Sequence, residues 1–241
     1  MSLEPTRLIW FNIDQVESLA VYLMMALPLA LLAYGLTLRV QRWRQGLPEN
    51  RDDHWLSQIL YALRFMLPYR RIARCPDLYT AITYGLIYFG FMTLLAGTLI
   101  VMVQNDISQP VLGVYFFKGH FYLYFKAAMN AAGLCLGLGV VMALYRRLVM
   151  QPGSVQTSMD DVLILIMLGL LVLQGFALQA LRLALTRDAW ALWSFVSYPL
   201  SLALQVLPRQ TVSVLHHTVW WTHFATAMIF LGYIAYKKRS D

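Results

Sequence analysis

The sequence predicts an all-α integral membrane bundle of five transmembrane helices, and three observations lead to this fold class. Hydrophobic residues make up 59% of the 241 positions, charged residues only 13%, and the net charge is +7. A soluble domain has about 45–50% apolar and about 25% charged residues, so this chain has too little polar surface for a soluble globule. The composition excludes a disordered chain, a disulfide scaffold and an ordinary cytosolic enzyme. Most basic residues lie in short loops beside apolar runs, which argues against nucleic-acid binding.

Five apolar runs are predicted as the membrane spans, since each supplies about 20 mostly apolar residues for about 30 Å of hydrocarbon. They cover residues 16–38, 78–103, 119–145, 162–185 and 212–236. No internal repeat or second domain is evident, so residues 1–241 are treated as one transmembrane domain. The first run is not expected to be a cleaved signal peptide, because it lacks a basic start and continues into Arg39 without a small-residue cleavage site.

The basic residues predict the orientation of these spans. Segment 39–76 holds eight arginines, and further basic residues follow the third span and the fifth. The opposite side has only four, namely Arg7, Lys118, Arg187 and Arg209. Because lysine and arginine concentrate in cytoplasmic loops, the N-terminus is expected outside and the C-terminus in the cytoplasm. The expected location is the cytoplasmic (inner) membrane.

Two loops are predicted to contain helices of their own. In the first cytoplasmic loop, apolar residues are spaced among arginines, which is typical of an amphipathic helix on the membrane surface; they are Leu56, Ile59, Leu60, Leu63 and Phe65. A solvated basic loop is the alternative. Segment 186–211 is rich in tryptophan and leucine and is predicted to be an interfacial helix, interrupted by Pro199 and Pro208.

Ionisable residues within the spans are the candidate functional residues, because charged groups are costly in a bilayer. Six lie towards the predicted outer side, and five of them are the candidates: His120, Lys126, Arg182, His216 and His223. For the sixth, His217, a structural role is favoured. Two histidines from facing helices are a common axial ligand pair for haem b, whereas a cation there pairs with haem propionates or hydrogen-bonds a quinone. The alternatives are histidines bonded to backbone carbonyls and basic side chains that extend to the interface.

Smaller polar and glycine residues in the spans have a structural interpretation. Asn130, Gln174 and Gln179 are expected to bridge helices by hydrogen bonds. Glycines recur in the second and third spans, at Gly90, Gly97, Gly133, Gly137 and Gly139. They permit close approach of backbones or of a flat cofactor, and ordinary helix packing is the favoured explanation.

Six ordered stretches resemble a known family. They are WFNI (10–13), YGLIYFGFMTLLAGTLI (84–100), GHFYLYF (119–125), ALYRRLVMQP (143–152), DDVLILIMLGLLVLQGFALQALRLA (160–184) and HHTVWWTHFATAMIFLGYIAY (216–236). The set resembles the gamma-type membrane subunit of respiratory nitrate reductase. It is more similar to relatives in heterodisulfide-reductase-like and electron-transfer-flavoprotein:quinone oxidoreductase systems. The resemblance implies a five-span, N-outside cytochrome b that passes electrons between membrane quinone and a cytoplasmic iron–sulfur or flavoprotein partner.

The resemblance also implies ligand positions, and the sequence departs from some of them. His223, in WWTH, matches the fifth-span histidine of the family, and His216 matches a histidine common in the closer relatives. Tyr84 and Asp241 stand where the family has histidines for the haem on the cytoplasmic side. One haem b is therefore expected on the outer side, with His223 and His120 as its iron ligands.

The expected function follows from these two lines of reasoning. The chain is expected to be the membrane subunit of an oxidoreductase complex, either non-catalytic alone or the quinone-reactive subunit. Quinone, as the substrate, is expected near the polar residues of the outer side, with Lys126 and Arg182 as candidate contacts. The alternative is a membrane anchor without haem that recruits a redox partner. A transporter is disfavoured, because such proteins more often show broken helices and internal repeats.

Overall fold

The computed structural model describes residues 4–7, 9–46, 55–66, 77–151 and 158–237. Helices make up nearly all of these residues, and no sheet strand occurs among them. In chain order the α-helices are α1 (Gln15–Trp43), α2 (Trp55–Met66), α3 (Leu78–Met102), α4 (Gln109–Leu112), α5 (Gly119–Tyr145), α6 (Met159–Thr186), α7 (Ser197–Leu204) and α8 (Arg209–Lys237). The predicted all-α class is confirmed for this part of the chain.

Four helical segments are long and apolar enough to cross a membrane: Gln15–Trp43, Leu78–Leu112, Gly119–Met150 and Met159–Thr186. By length and composition they make the chain a multi-pass membrane protein. Helix α8 is 29 residues long but is not among them, because histidines and tryptophans in its first half lower its hydropathy. It occupies the position of the fifth predicted span, and its crossing of the membrane stays a prediction.

The second membrane segment is longer than the sequence predicts. Helix α3 continues through a π-helical stretch, Val103–Ser108, into α4. Gln104 is fully buried in this stretch, where its side chain donates to the carbonyl of Val114 at 3.3 Å and accepts from the amide of Phe116 at 2.8 Å. The polar run that was expected to end the span therefore continues the helix, because the following loop supplies its hydrogen-bond partners.

Helices α3 and α5 pack closely through glycines, as the sequence predicts. A methyl group on Gly90 would lie 2.7 Å from the amide nitrogen of Leu136 and 2.8 Å from the carbonyl oxygen of Ala132. From the opposite helix, a methyl group on Gly139 would lie 2.9 Å from the amide nitrogen of Ile87. Backbone atoms cannot move aside as a side chain can, so these two glycines set the distance between the helices.

Helix α1 lies at the edge of the bundle and contacts α8. Only Val21 and Pro28 of α1 are buried among its residues. Asp14 caps the start of the helix in a reciprocal capping box with Glu17. The Glu17 carboxylate also lies 2.5 Å from Nε2 of His217 and accepts a 3.4 Å hydrogen bond from Trp221. Polar contacts at its first turn thus hold α1 against α8, although few apolar residues of α1 are buried.

The two predicted loop helices have different outcomes. Helix α2 forms in the first loop, with Leu56, Ile59 and Leu60 exposed, while the side chains of Leu63 and Phe65 lie outside the described residues. Its placement on a membrane surface stays a prediction. In segment 186–211, Pro199 does not interrupt a helix as expected. It lies in the first turn of α7, where a backbone N–H has no partner within the helix.

Candidate functional site

A cavity of about 540 Å³ lies between α3, α5, α6 and α8, and the N-terminal residues lie over one end of it. Its walls are mainly apolar, with contributions from Leu94, Met129, Leu168, Val172 and Phe230. On α5 the lining extends from Tyr122 to Leu136, which is about 21 Å along the helix at 1.5 Å per residue. Both the volume and the apolar walls are within the range of small-molecule sites.

Most polar residues of the cavity lie at the end formed by the start of α5, the end of α6 and the start of α8, and His223 lies about two turns further along α8. Four of the five residues predicted from sequence line the cavity: Lys126, Arg182, His216 and His223. The fifth, His120, is exposed, does not line it, and stacks its ring on Tyr124 at 6.3 Å between centroids. The structure therefore brings Lys126, Arg182 and the two α8 histidines together, and leaves His120 apart.

Arg7 is a cavity residue that the sequence analysis did not single out. Its guanidinium carbon lies 5.6 Å from the ring centroid of Phe117 and 5.5 Å from that of Phe125, and its buried Nε has no hydrogen-bond partner. Burial, and then the charge of Arg182, lower the pKa of Arg7 to about 10. No sequence signal marks this arginine, because it precedes α1 and reaches the cavity only through the fold.

Backbone contacts of the N-terminal segment bring Arg7 into place. Thr6 forms an antiparallel bridge with Lys118, and the amide of Gly119 donates to the carbonyl of Pro5 at 3.0 Å. The hydroxyl of Tyr115 donates to the carbonyl of Arg7 itself. The segment is thereby tied to the loop before α5, and the arginine side chain lies over the end of the bundle.

Lys126 is already paired within the chain. It is 2% exposed, and its Nζ donates to Oδ2 of Asp188 at 2.7 Å and to the carbonyl of Trp190 at 3.0 Å. A carboxylate neutralises most of the cost of burying this ammonium group. Lys126 therefore joins α5 to the loop after α6, and its charge is compensated without a ligand.

An amide network next to Lys126 confirms two of the predicted helix bridges. Asn130 donates to Oε1 of Gln179 at 3.0 Å, which joins α5 to α6. Gln179 donates to Ser194 at 3.0 Å and accepts from Ser197 at 2.9 Å, so the same amide holds the loop between α6 and α7. The third predicted bridge also forms, since Gln174 donates to Thr226 of α8 at 3.3 Å.

The two cavity histidines have one imidazole nitrogen each without a partner. Nδ1 is buried and without a hydrogen bond in both His216 and His223. His216 is 3% exposed, and its ring meets that of Phe11 edge-on at 5.2 Å. Buried polar atoms in proteins are nearly always hydrogen-bonded, so two nitrogens without partners on residues that line one cavity make this cavity a candidate ligand site.

The residues around the cavity do not fit a haem held by two histidines. His216 and His223 are seven positions apart on α8, about 10 Å along the helix, so they cannot be the two axial ligands of one iron. His120 lies outside the cavity lining. The thioether of Met129 packs against α3, where it would contact a methyl group on Gly97 at 2.3 Å. The orphaned Nδ1 atoms thus have no described axial partner across the cavity.

Two of the three glycines that line the cavity, Gly97 and Gly133, face neighbouring side chains at close range. A methyl group on Gly133 would lie 2.8 Å from the ring of Phe176. Gly97 is filled in the same way by Met129, as above. Both contacts are those expected of helix packing, and a space for a flat cofactor at these glycines stays an untested alternative.

Comparisons with protein-family models, with curated proteins and with solved structures found no match for this chain. The assignment of the site is therefore based on its geometry alone.

Proposed function

We propose that the chain is the quinone-reactive membrane subunit of a respiratory redox complex in the inner membrane. In this proposal five helices cross the bilayer, with the N-terminus outside and the C-terminus in the cytoplasm. The subunit exchanges electrons between membrane quinone and a cytoplasmic iron–sulfur or flavoprotein partner. The resemblance to nitrate reductase gamma-type subunits motivates this assignment.

The cavity is the single observation that carries the quinone part of the proposal. A prenylated quinone has a ring with two carbonyl oxygens and a long apolar tail. Apolar walls suit the tail, and hydrogen-bond donors at one end suit the carbonyl oxygens. Arg182 offers a guanidinium, and His216 offers a ring nitrogen that has no other partner. The ring would therefore lie at the polar end and the tail along α5 and α8.

The redox partner is proposed to bind at the cytoplasmic face of the bundle. Arg42 and Arg44 are exposed at the end of α1, and most of the remaining arginines of segment 39–76 lie outside the described residues. Arg146 and Arg147 are paired with Asp77 at 3.1 Å and Asp161 at 2.9 Å. The exposed arginines suit a partner with an acidic docking surface, whereas the paired ones hold helix ends together.

A membrane anchor without haem is the second candidate function. It is favoured over an electron-transferring cytochrome because no two of the candidate histidines are placed to ligate one iron. A dithionite-reduced minus oxidised spectrum of the purified protein, with haem quantified per chain, distinguishes the two. No b-type signal in protein from haem-sufficient cells supports the anchor. A signal near one haem per chain supports the cytochrome, and His223→Ala then tests the iron ligand, since full haem content in that variant contradicts its role.

Quinone binding is tested with the full chain in phosphatidylcholine nanodiscs. A short-chain quinone is titrated, and quenching of tryptophan fluorescence is followed because Trp220 lines the cavity. Arg182→Gln should weaken binding about tenfold or more, since a hydrogen bond from a charged donor contributes about 1.5–3 kcal/mol. Arg209→Gln is the matched control, because Arg209 is exposed and outside the cavity. Equal affinity in both variants would contradict a quinone at this site.

A further inference from the structure

The polar end of the cavity has an excess of positive charge. Within the ranges that the structure describes, three cations line it, Arg7, Lys126 and Arg182, and none of the lining residues is acidic. Lys126 is neutralised by Asp188. Among the described residues, neither Arg7 nor Arg182 forms an ion pair, and the buried Nε of Arg7 has no hydrogen bond. Two guanidinium groups thus face an apolar cavity without a carboxylate from the described part of the chain.

Both arginines are partly buried, and two like charges that are partly shielded from water are unfavourable without a negatively charged group beside them. Buried charges in proteins are paired or hydrogen-bonded, because transfer of an ion from water to an apolar surrounding costs several kcal/mol. The two arginines also repel each other, and the pKa of Arg7 is lowered by burial and by Arg182. A neutral ligand would leave this repulsion in place. A ligand with one negative charge would remove it and would accept bidentate hydrogen bonds from the planar guanidinium groups.

The rest of the cavity specifies the other part of the ligand. Beyond His223 the walls are apolar, with Val172 and Leu168 from α6 and Phe230 and Leu231 from α8. The lining on α5 extends over about 21 Å, which is much longer than a small inorganic anion. A ligand that satisfies both ends has an anionic head and an extended apolar chain.

We propose that this cavity is a binding site for an anionic amphiphile, whose carboxylate or phosphate head lies between Arg7 and Arg182 and whose acyl chain extends along α5, α6 and α8. The shared chemistry is an anionic head on a long hydrocarbon. A free fatty acid and an acidic phospholipid both supply it. The inference goes beyond the proposed function, because a neutral quinone brings no charge and the subunit need not be a redox protein for the site to bind.

Binding is measured with the purified full chain in a neutral maltoside detergent. Radiolabelled oleate is titrated, and oleyl alcohol, with the same chain and no charge, is titrated in parallel. Dioleoyl phosphatidate and dioleoyl phosphatidylcholine are compared by native mass spectrometry, which separates the phospholipid source from the fatty-acid source. We expect about one oleate or phosphatidate per chain and at least about tenfold weaker binding of the uncharged partners, since charge-assisted hydrogen bonds are lost.

Variants assign the binding to the two arginines. Arg7→Gln and Arg182→Gln should each weaken binding of the anionic ligand about tenfold, and Arg182→Lys should retain most of it because the charge remains. Arg209→Gln should bind as the unmodified chain does. Thermal unfolding of each variant shows whether the fold is kept. If a glutamine variant does not fold, binding by the Arg182→Lys protein still tests whether a positive charge at position 182 is sufficient.

The outcomes separate this inference from the proposed function. Oleyl alcohol that binds as tightly as oleate, with no effect of Arg7→Gln or Arg182→Gln, would overturn the anionic head site. Quinone binding without oleate or phosphatidate binding would also overturn it, while the proposed function would stand. Oleate or phosphatidate binding without quinone binding would support the site and count against the quinone-reactive subunit.

Discussion

The ammonium group of Lys126, inside α5, lies 2.7 Å from the carboxylate of Asp188, in the loop after α6. The lysine is almost completely buried, whereas the aspartate is partly exposed. The pair therefore closes one end of the bundle and leaves Arg7 and Arg182 as the cavity cations without a described carboxylate partner. Lys126 is therefore a structural cation, whereas Arg7 and Arg182 face the cavity.

Removing the carboxylate should destabilise the fold strongly. Asp188→Asn leaves the Lys126 ammonium buried without a countercharge, and such a loss costs about 3 kcal/mol. Thermal unfolding in detergent measures it. The double variant Lys126→Met with Asp188→Asn should recover much of the loss, because no unpaired charge remains. The single variant Lys126→Met completes the cycle. If the double variant loses as much stability as Asp188→Asn and Lys126→Met lose in sum, the pairing is contradicted.

Close packing of α3 on α5 should make Gly90 intolerant of a methyl group. Gly90→Ala places a carbon within 2.8 Å of the α5 backbone, and we expect a loss of about 2 kcal/mol from overpacking. Gly232→Ala is the matched control, because nothing lies within 4 Å of its added carbon. That control should be neutral or slightly stabilising, since alanine favours a helix by about 1 kcal/mol. Equal unfolding temperatures for both variants would contradict the packing described.

The start of α3 should make stability depend on pH in acid. A hydrogen bond from the Thr80 hydroxyl, followed by the Tyr79 amide and the charge of Arg146, lowers the pKa of Asp77 below 3.8. The lowered pKa in the folded state means that this stabilisation is present above the unfolded value and is lost as the pH falls through the folded value.

Two variants test the role of Asp77. Asp77→Asn should remove part of the acid-induced loss of stability below about pH 4, because no carboxylate remains to be protonated. Thr80→Ala should move the Asp77 titration upward by removing the largest cause of the shift. Unfolding temperature measured across the acid range checks both, and an unchanged pH profile in Asp77→Asn would count against this contribution.

The contact between Glu17 and His217 should hold α1 on α8. His217→Ala removes a partner of the Glu17 carboxylate, and α1 has few buried residues to compensate. We expect faster amide hydrogen exchange in α1 with little change in α5 and α6. His120→Ala is the control, because His120 is exposed and its ring contacts Tyr124. Similar exchange in the two variants would show that other contacts hold α1.

Part of the site was predictable because ionisable residues stand out within apolar runs. Lys126, Arg182, His216 and His223 were singled out for that reason, and all four line one cavity. The sequence did not indicate which of them has a partner. Asp188 lies 62 positions from Lys126, and no periodicity links a helix residue to a loop at such a separation.

Other sequence-based expectations were wrong at positions where the structure depends on residues distant in sequence or on the position within a helix. The second membrane segment continues past 103 because Gln104 finds partners in the loop after α4. Pro199 is accommodated because it lies in the first turn of α7. His120 and Lys126 are both on α5, six positions apart, so they lie about 120° apart around the helix, and only Lys126 lines the cavity.

The sequence alone determined that this is an apolar, multi-pass helical protein, because composition and run length decide whether a segment can leave water. The positions of the candidate polar residues were set in the same way, by the cost of charge in hydrocarbon. Only the tertiary structure decided that Arg7 lies beside Arg182, that Asp188 neutralises Lys126, and that His120 lies apart from both α8 histidines. Pairing and repulsion act over a few ångströms in space, and that distance is fixed by how the helices and loops pack.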